Sequence, residues 1–292
     1  MTPEQYCQQK AASSGSSFYY SFLFLPQDQR QAITALYAFC REVDDIVDSN
    51  FEPAVMQAKL SWWQNEVDKL YQKHPQHPVT QALLPAIEHY QLPQEQLLEI
   101  IDGMRMDLEQ SRYKDFKDLS LYCHRVASVV GLLSAEIFGY QHRQTLKYAH
   151  SLGTAFQLTN ILRDIREDAQ RGRIYLPQDE LEKFGVTEQD IINNKQSEAF
   201  NKLMRFQSER ARALYQQAFD ELPDADRYSQ RTGIIMAAIY SATLDEIEKD
   251  NFQVFKHRIS LTPLRKLWLA WKTIRQEKRR YKKWQRQNKT QQ

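Results

Sequence analysis

Scarcity of glycine is the property of this chain that most restricts its fold. Only 8 of the 292 residues are glycine, which is less than half of the usual share of about 7%. Because glycine is the residue that most readily takes the positive φ angles of tight hairpins, we predict few hairpins and long, uninterrupted elements. Abundant Gln, Leu, Ala, Glu and Lys favour helices, so the composition predicts an all-α protein.

Proline marks most of the predicted helix boundaries, and neither an internal repeat nor a low-complexity linker divides the chain. A short helix is predicted before the Ser/Gly-rich stretch at 13–17. The other predicted helices cover about 28–48, from 53 through 63, 79–90, 93–110, 117–138, 143–168, 197–222, 224–249 and from 263 onward, with short pieces near 178 and 187. We therefore predict one helical domain over residues 1–262, followed by a basic amphipathic helix or tail over residues 263–292.

The cysteines and the N-terminus predict a cytoplasmic protein. Cys7, Cys40 and Cys123 are odd in number and lack CxxC spacing, which disfavours a disulfide framework or a zinc site. The first residues contain neither the basic nor the apolar segment of a signal peptide. We also expect no apolar run long enough to span a bilayer.

The C-terminal segment is strongly basic. From Lys272 to the end there are nine Lys and Arg against one acid, Glu277, so this segment carries +8 while residues 1–271 carry −6. Leucine and tryptophan in 267–271 precede the cations, and a basic helix with Trp on one face suits an anionic membrane. We therefore expect peripheral contact with the inner face of the plasma membrane, with a solvated, frayed end as the alternative. No nucleic-acid-binding fold is recognised, so no nucleic-acid partner is expected.

Two acidic motifs occur on separate predicted helices. The first helix has a polar stripe formed by Tyr37, Arg41, Asp44 or Asp45, and Asp48. The second has a polar stripe formed by Gln157, Asn160, Asp164 and Asp168. A solvent-exposed face is the simple interpretation, but both helices are apolar elsewhere, as buried helices are. The pattern therefore favours an internal cavity in which a cation compensates the repulsion between carboxylates.

The ligand types in these stripes favour Mg²⁺, or Mn²⁺, over zinc, because they offer oxygen without neighbouring His or Cys. Mg²⁺ prefers a few carboxylates together with phosphate oxygens of a substrate. Arg41, Arg163 and Arg173 are candidates for charge-assisted hydrogen bonds to those phosphates. The alternative for two of them is ion pairing four residues along the helix, Arg41 with Asp45 and Arg163 with Glu167.

Several ordered motifs of this chain resemble those of the squalene/phytoene synthase family. The matching segments are the two DxxxD motifs at 44–48 and 164–168, YAFCR at 37–41, YCHRVA at 122–127, QLTNILRD at 157–164 and RIYLP at 173–177. The resemblance covers about residues 13–260. It is closest to the bacterial presqualene diphosphate synthases of hopanoid pathways, with phytoene synthases next.

The resemblance implies an isoprenoid synthase fold with helices around a central cavity. It implies that the metal ligands are Asp44, Asp48, Asp164 and Asp168. It implies that the residues that bind the diphosphate or its metals are Arg41, Gln157, Asn160, Arg163, Arg173 and Tyr175. Substrate contact is implied for Ser17, Phe18 and Arg258, and Tyr122 matches the cavity tyrosine that helps to steer deprotonation.

The implied activity is the head-to-head condensation of two farnesyl diphosphates to presqualene diphosphate in squalene and hopanoid biosynthesis. One diphosphate ionises to an allylic cation, the second attacks through its C2–C3 alkene, and proton loss closes a cyclopropane. The cation requires a dry aromatic pocket, for which the candidates are Phe18, Tyr19, Phe22, Phe24, Phe39 and Phe138.

Three alternatives remain open at this point. The substrate could be geranylgeranyl diphosphate, with phytoene as the product, because one sequence does not reveal cavity depth. A complete squalene synthase would also use NADPH, which we do not expect here, since the chain has no GxGxxG motif and lacks the C-terminal anchor of eukaryotic squalene synthases. The non-enzymatic alternative is a helical membrane-associated scaffold. Downstream isoprenoid enzymes are candidate partners in either case.

Overall fold

The computed structural model describes residues 1–13, 21–22, 24–49 and 51–289. The described helices are α1 (Pro3–Ser13), α2 (Gln27–Val47), α3 (Pro53–Tyr71), α4 (Pro78–Tyr90), α5 (Gln94–Glu109), α6 (Phe116–Cys123), α7 (Val129–Phe138), α8 (Gln144–Gln170), α9 (Gln178–Phe184), α10 (Glu188–Ile192), α11 (Glu198–Glu221), α12 (Arg231–Lys249) and α13 (Pro263–Lys289). Within these ranges no β-strand occurs beyond an isolated bridge between Arg112 and Ile174. The all-α prediction is therefore confirmed.

Local chemistry explains where several of these helices begin. Pro53 and Pro78 occupy the first turns of α3 and α4, where a missing N–H costs nothing. The hydroxyl oxygen of Ser197 accepts the backbone N–H of Phe200 at 3.1 Å and caps α11. Such a side-chain cap satisfies one of the free N–H groups of the first turn. The helix α2 begins directly after Pro26 and has no side-chain cap.

The helix predicted over 224–249 begins seven residues later, at Arg231. The reason is Asp226, whose buried carboxylate accepts the backbone N–H of Gln141 at 2.6 Å and that of His142 at 3.0 Å. It also accepts the hydroxyl of Thr145 at 2.7 Å. These bonds tie the turn before α12 to the segment that leads into α8.

A π-helical turn over His124–Ser128 joins α6 to α7, where the sequence predicted an uninterrupted α-helix. This turn lies directly against α8. A Cβ atom at Gly153 would lie 2.6 Å from Cα of Ser128 and 2.7 Å from the carbonyl oxygen of Ala127. Only glycine permits this backbone contact, which brings α8 close to the wall that α6 and α7 form.

The continuous stretch Phe116–Phe138 is long and apolar enough to cross a membrane by length and composition, contrary to the sequence-based expectation. In the fold, its Leu119 and Cys123 belong to one hydrophobic core, while Val129 and Leu133 belong to another. Core helices of this kind pass the same composition test. This helical stretch therefore packs between the two cores of the bundle.

The two hydrophobic cores place the acidic motifs opposite each other. One core is formed mainly by α1–α5 and α7, and the other by α6 and α8–α12. The helix α2 belongs to the first core and α8 to the second. Each of these two helices carries one acidic motif on the side that faces the space between the cores.

Candidate active site

A cavity of about 610 Å³ lies between the two cores. Its apolar wall includes Leu36, Met104, Val130, Leu152, Phe156 and Met236. The predicted site residues that also line it are Arg41, Asp44, Asp48, Tyr122, Gln157, Asn160, Arg163, Asp164, Asp168, Arg173, Tyr175 and Arg258. Ser17 and Phe18 fall outside the described residues. The fold therefore brings together every predicted site residue that the structure describes.

The first motif separates its neighbouring aspartates onto different surfaces. Asp44 and Asp48 line the cavity, whereas Asp45 pairs with Lys10 of α1 at 2.9 Å. Arg41 donates to Oδ2 of Asp44 at 2.5 Å and also to Asp45. The choice that the sequence left open between Asp44 and Asp45 is thus decided in favour of Asp44.

The second motif lies at a kink in α8. Asp164 has φ −106° and ψ 15°, outside the helical region. Its carboxylate accepts from Nε of Arg163 at 2.8 Å and from Nε of Arg258 at 2.7 Å. The observed partner of Arg163 is therefore the adjacent Asp164, instead of the Glu167 expected from helical spacing.

The loop over 171–177 follows α8 in the chain and contacts the end of α2 in space. Arg173 donates to Oδ1 of Asp48 at 3.0 Å and to the carbonyl oxygen of Val47 at 2.6 Å. The loop itself is held by the backbone N–H of Ile174, which donates to the carbonyl of Ser111 at 3.0 Å. Arg173 lies just after the end of α8, and its guanidinium binds the end of α2. It therefore links the segments that carry the two motifs.

Asp107 of α5 is a site residue that the sequence reasoning missed. Tyr175 donates to its Oδ1 at 2.6 Å, and Tyr122 donates to its Oδ2 at 3.1 Å. Asp107 follows Ile100 and Met104 on the same face of α5, and all three line the cavity. A signal was present in the sequence, because an acid in register with apolar residues on a core-facing helix is unusual.

Burial makes ionisation of these carboxylates costly. It raises the pKa of Asp44 to about 6, against the opposing effect of Arg41. It raises the pKa of Asp168 to about 8, and the charges of Asp164 and Asp107 add to this effect. Burial alone would also raise the pKa of Asp164, but hydrogen bonds from Arg163 and Arg258 bring it below its ordinary value. A bound cation would favour the ionised forms of Asp44 and Asp168, whose pKa values burial raises.

The donor set fits Mg²⁺ bound jointly with a diphosphate. Among the described residues, no three His, Cys, Asp or Glu side chains converge closely enough to hold an ion unaided. Mg²⁺ is typically held by one or two carboxylates, with phosphate oxygens and water completing its shell. In addition, Oδ1 of Asn160 is buried and has no hydrogen-bond partner in the described part of the chain. The separated Asp pairs and this spare acceptor suit ions that bridge protein and substrate.

The aromatic candidates divide between the cavity and the core. Phe22 and Phe138 line the cavity, whereas Phe39 packs edge-on against Trp63 at 5.5 Å between ring centroids. Phe24 packs against the small apolar cluster between α12 and α13, and Tyr19 lies outside the described residues. Phe156 also lines the cavity, although the sequence reasoning did not select it.

Comparisons with known proteins agree with this geometry. The sequence profile of the squalene/phytoene synthase family matches residues 11–265. The chain is 37% identical over 278 residues to a phytoene synthase of Arthrospira platensis, covering 89% of each chain. It is 36% identical over 273 residues to a 15-cis-phytoene synthase of Synechococcus elongatus, again covering 89% of each.

Two solved structures share the fold. A dehydrosqualene synthase superposes with a TM-score of 0.84 at 28% identity, covering 93% of this chain and 95% of that one. A squalene synthase from Alicyclobacillus acidocaldarius superposes with a TM-score of 0.77 at 28% identity, covering 86% and 94%. Fold and site thus define a prenyltransferase-type isoprenoid synthase. The chain belongs to the squalene/phytoene synthase family.

Proposed function

We propose that this protein joins two prenyl diphosphates head to head, with geranylgeranyl diphosphate as the substrate and phytoene as the product. The facing Asp motifs at the charged part of an otherwise apolar cavity carry the proposed chemistry. The substrate length is supported by relatives named phytoene synthases, which are 36–37% identical to this chain. The squalene-type structures are 28% identical.

This choice reverses the order of the two substrates expected from the motifs. Both prenyl diphosphates end in the same diphosphate group, and in this proposal the motifs contact only that group. The motifs therefore carry little information about the length of the isoprenoid tail. Whole-chain similarity includes the apolar wall against which the tail lies, so it is the better guide to length.

The first task of the site is to stabilise the leaving diphosphate. Mg²⁺, when bound, would neutralise the charge that develops as the C–O bond breaks. The residues that would hold it are Asp44 and Asp48 on α2, with Asp164 and Asp168 on α8. Arg41, Arg163 and Arg173 pair with acidic residues in the structure. Release from those acids would make their guanidinium groups available for phosphate oxygens.

The second task is to protect the allylic cation from water. Phe22, Phe138 and Phe156 line the cavity beside aliphatic side chains. An apolar wall excludes water, and the negative faces of aromatic rings stabilise nearby positive charge. The cation would therefore survive long enough to meet the alkene of the second substrate.

The tyrosines act in this proposal as hydrogen-bond donors. Burial raises the pKa values of Tyr122 and Tyr175 well above the ordinary value, with a further contribution from nearby Asp107. Both hydroxyl groups therefore stay protonated at neutral pH. The bonds to Asp107 fix the positions of both hydroxyl groups, and Tyr122 is the residue that would steer the loss of the proton.

The proposal is tested by mass spectrometry of the products formed by the purified protein with Mg²⁺. Geranylgeranyl and farnesyl diphosphate are supplied separately, with and without NADPH, and EDTA-treated protein serves as the control. Phytoene from geranylgeranyl diphosphate supports the proposal. Presqualene diphosphate or squalene from farnesyl diphosphate, with no phytoene, would return the protein to the squalene-type alternatives. No product from either substrate would favour the scaffold.

A further inference from the structure

One face of α13 is exposed from Leu264 to Arg286. It is apolar in its first half and positively charged in its second half. Its apolar part consists of Leu264, Trp268 and Trp271, which are 80%, 52% and 51% exposed. The same stripe continues at spacings of three or four residues through the exposed cations Arg275, Arg279, Lys282 and Arg286. Residues at this spacing lie on one helical face. We call this set of seven side chains the α13 stripe.

The opposite face of α13 anchors the helix to the protein. Ala270 and Ile274 are buried against Ile235 and Ile239 of α12. These contacts hold the α13 stripe pointing outward, so it cannot turn inward to bury its tryptophans. Exposing two Trp side chains costs free energy in water, and a helix with Trp on one face and cations beside it can bury the Trp side chains in a membrane interface.

The surface charge of this helix is almost entirely positive. The acidic residue in the basic half of α13 is Glu277, which is only 7% exposed and pairs with Arg227 at 2.8 Å. Glu277 therefore lies on the inner face and does not neutralise the stripe. A row of cations that follows exposed tryptophans matches the surface of an anionic bilayer, where phosphates lie above an apolar interior.

The apolar end of the α13 stripe lies near the charged part of the cavity. Arg258 lines the cavity, and the six residues from there to Leu264 span at most roughly 22 Å. In addition, burial lowers the pKa of Lys266, and the charges of Arg163 and Arg258 lower it further. The start of α13 is thus close to the arginines that line the cavity.

We propose, on the basis of the proposed function, that the α13 stripe docks the enzyme on an anionic lipid bilayer. Trp268 and Trp271 enter the interface, and the cations that follow contact lipid phosphates. The cavity is then held close to the membrane in which its prenyl substrates partition. A substrate can enter from the bilayer without its tail crossing bulk water.

The test is co-sedimentation of the full chain with phosphatidylcholine vesicles, with and without phosphatidylglycerol. We expect binding to the anionic vesicles. Trp268→Ala with Trp271→Ala should weaken it by at least about tenfold. Arg279→Glu with Lys282→Glu should weaken it by about 25-fold or more, since each cation near an anionic surface contributes about fivefold.

Matched variants separate the α13 stripe from general changes of charge or apolarity. Trp62→Ala removes a tryptophan of similar exposure, 43%, on α3. Lys117→Glu with Lys202→Glu makes the same charge change on exposed positions of α6 and α11. Both variants should bind anionic vesicles nearly as tightly as the unchanged protein. A loss as large as that of the stripe variants would overturn the proposal.

Two other results would also overturn it. Equal binding to vesicles and to duplex DNA, unaffected by the Trp changes, would indicate a general polyanion surface. A dimer in sedimentation velocity that Trp268→Ala with Trp271→Ala dissolves would indicate a second copy of this chain on the stripe. Vesicle binding is measured without turnover, so its failure is distinct from failure of the proposed enzyme activity. If both hold, the Trp variant should lose turnover of vesicle-borne substrate while keeping turnover in detergent.

Discussion

Tyr175 and Asp107, 68 residues apart in the chain, are joined by a hydrogen bond of 2.6 Å in the cavity wall. The Tyr175 ring stacks on that of Tyr122 with 4.9 Å between centroids, and the two hydroxyls lie 3.2 Å apart. The side chain of Asp107 is only 3% exposed. A single buried carboxylate therefore positions both tyrosines, and such satisfied networks hold side chains rigidly.

Replacement of Asp107 by Asn should lower kcat by roughly 10- to 100-fold while changing KM little. The amide offers one acceptor oxygen instead of two, so one tyrosine hydroxyl loses its partner and its orientation. Steady-state kinetics of Asp107→Asn and of Asp102→Asn measure the effect. Asp102 lies on the same helix and pairs with Arg105 at 2.9 Å, so its variant should behave normally. Equal kinetics for the two variants would show that Asp107 has no positioning role.

Replacement of Asp48 or Asp168 by Ala should abolish most turnover, by about a thousandfold or more, with the fold retained. Each of these carboxylates lines the cavity and, in the proposed function, would share a cation with the diphosphate. Asp45→Ala is the matched control, because Asp45 belongs to the same acidic cluster but pairs with Lys10. Circular dichroism checks folding, and product formation is followed over a range of Mg²⁺ concentrations. Undiminished turnover in both cavity variants would exclude these side chains as metal ligands.

Asp168→Asn should raise the melting temperature of the metal-free protein, and more so at pH 8 than at pH 5. The pKa of Asp168 is about 8 in the folded protein against an ordinary 3.8. Ionising Asp168 therefore lowers the free energy of unfolding, and this loss of stability increases as the pH rises between these values. The uncharged amide removes this cost. Thermal unfolding in EDTA at both pH values tests the sign, and a larger gain at pH 5 would contradict it. Added Mg²⁺ should reduce the difference at pH 8.

Gly153→Ala should destabilise the protein by about 1–3 kcal/mol, the usual cost of overpacking a tight core. Its Cβ would lie 2.6 Å from Cα of Ser128, so the π-helical turn or α8 must move. Because the same segments line the cavity, activity should fall as well. Urea unfolding of this variant is compared with that of Gln144→Ala, at an exposed position where α8 begins. An unchanged midpoint in Gly153→Ala would mean that the packing relaxes without cost.

Local signals accounted for much of the fold. Most helices begin and end within a few residues of their predicted bounds, because proline, helix propensity and apolar periodicity are properties of short segments. The predictions failed where a distant residue intervened. The turn before α12 is held by bonds from Asp226 to the start of α8. The π-helical turn similarly lies where α8 packs tightly at Gly153. Neither contact leaves a pattern in the segment that it alters.

The same distinction applies to the site. The spacing of Asp164 and Asp168 shows that both lie on one helical face, whatever packs against it. The partner of Arg163 does not follow from spacing: Arg163 donates to Asp164 at the kink of α8, where Arg258 also donates to Asp164 from a distant segment. The contacts of Asp107 likewise depend on tertiary packing, because Tyr122 and Tyr175 come from other segments of the chain.

The all-α class, the two acidic stripes and the family could all be predicted from the sequence, because they depend on composition and on residues close together in the chain. Only the packing of distant segments paired Asp45 with Lys10, brought both tyrosines to Asp107 and left the tryptophans of α13 exposed. Each of these outcomes depends on which distant surfaces bury one another. That burial is a property of the packed whole, since the free energy of burying a side chain is set by its neighbours in space.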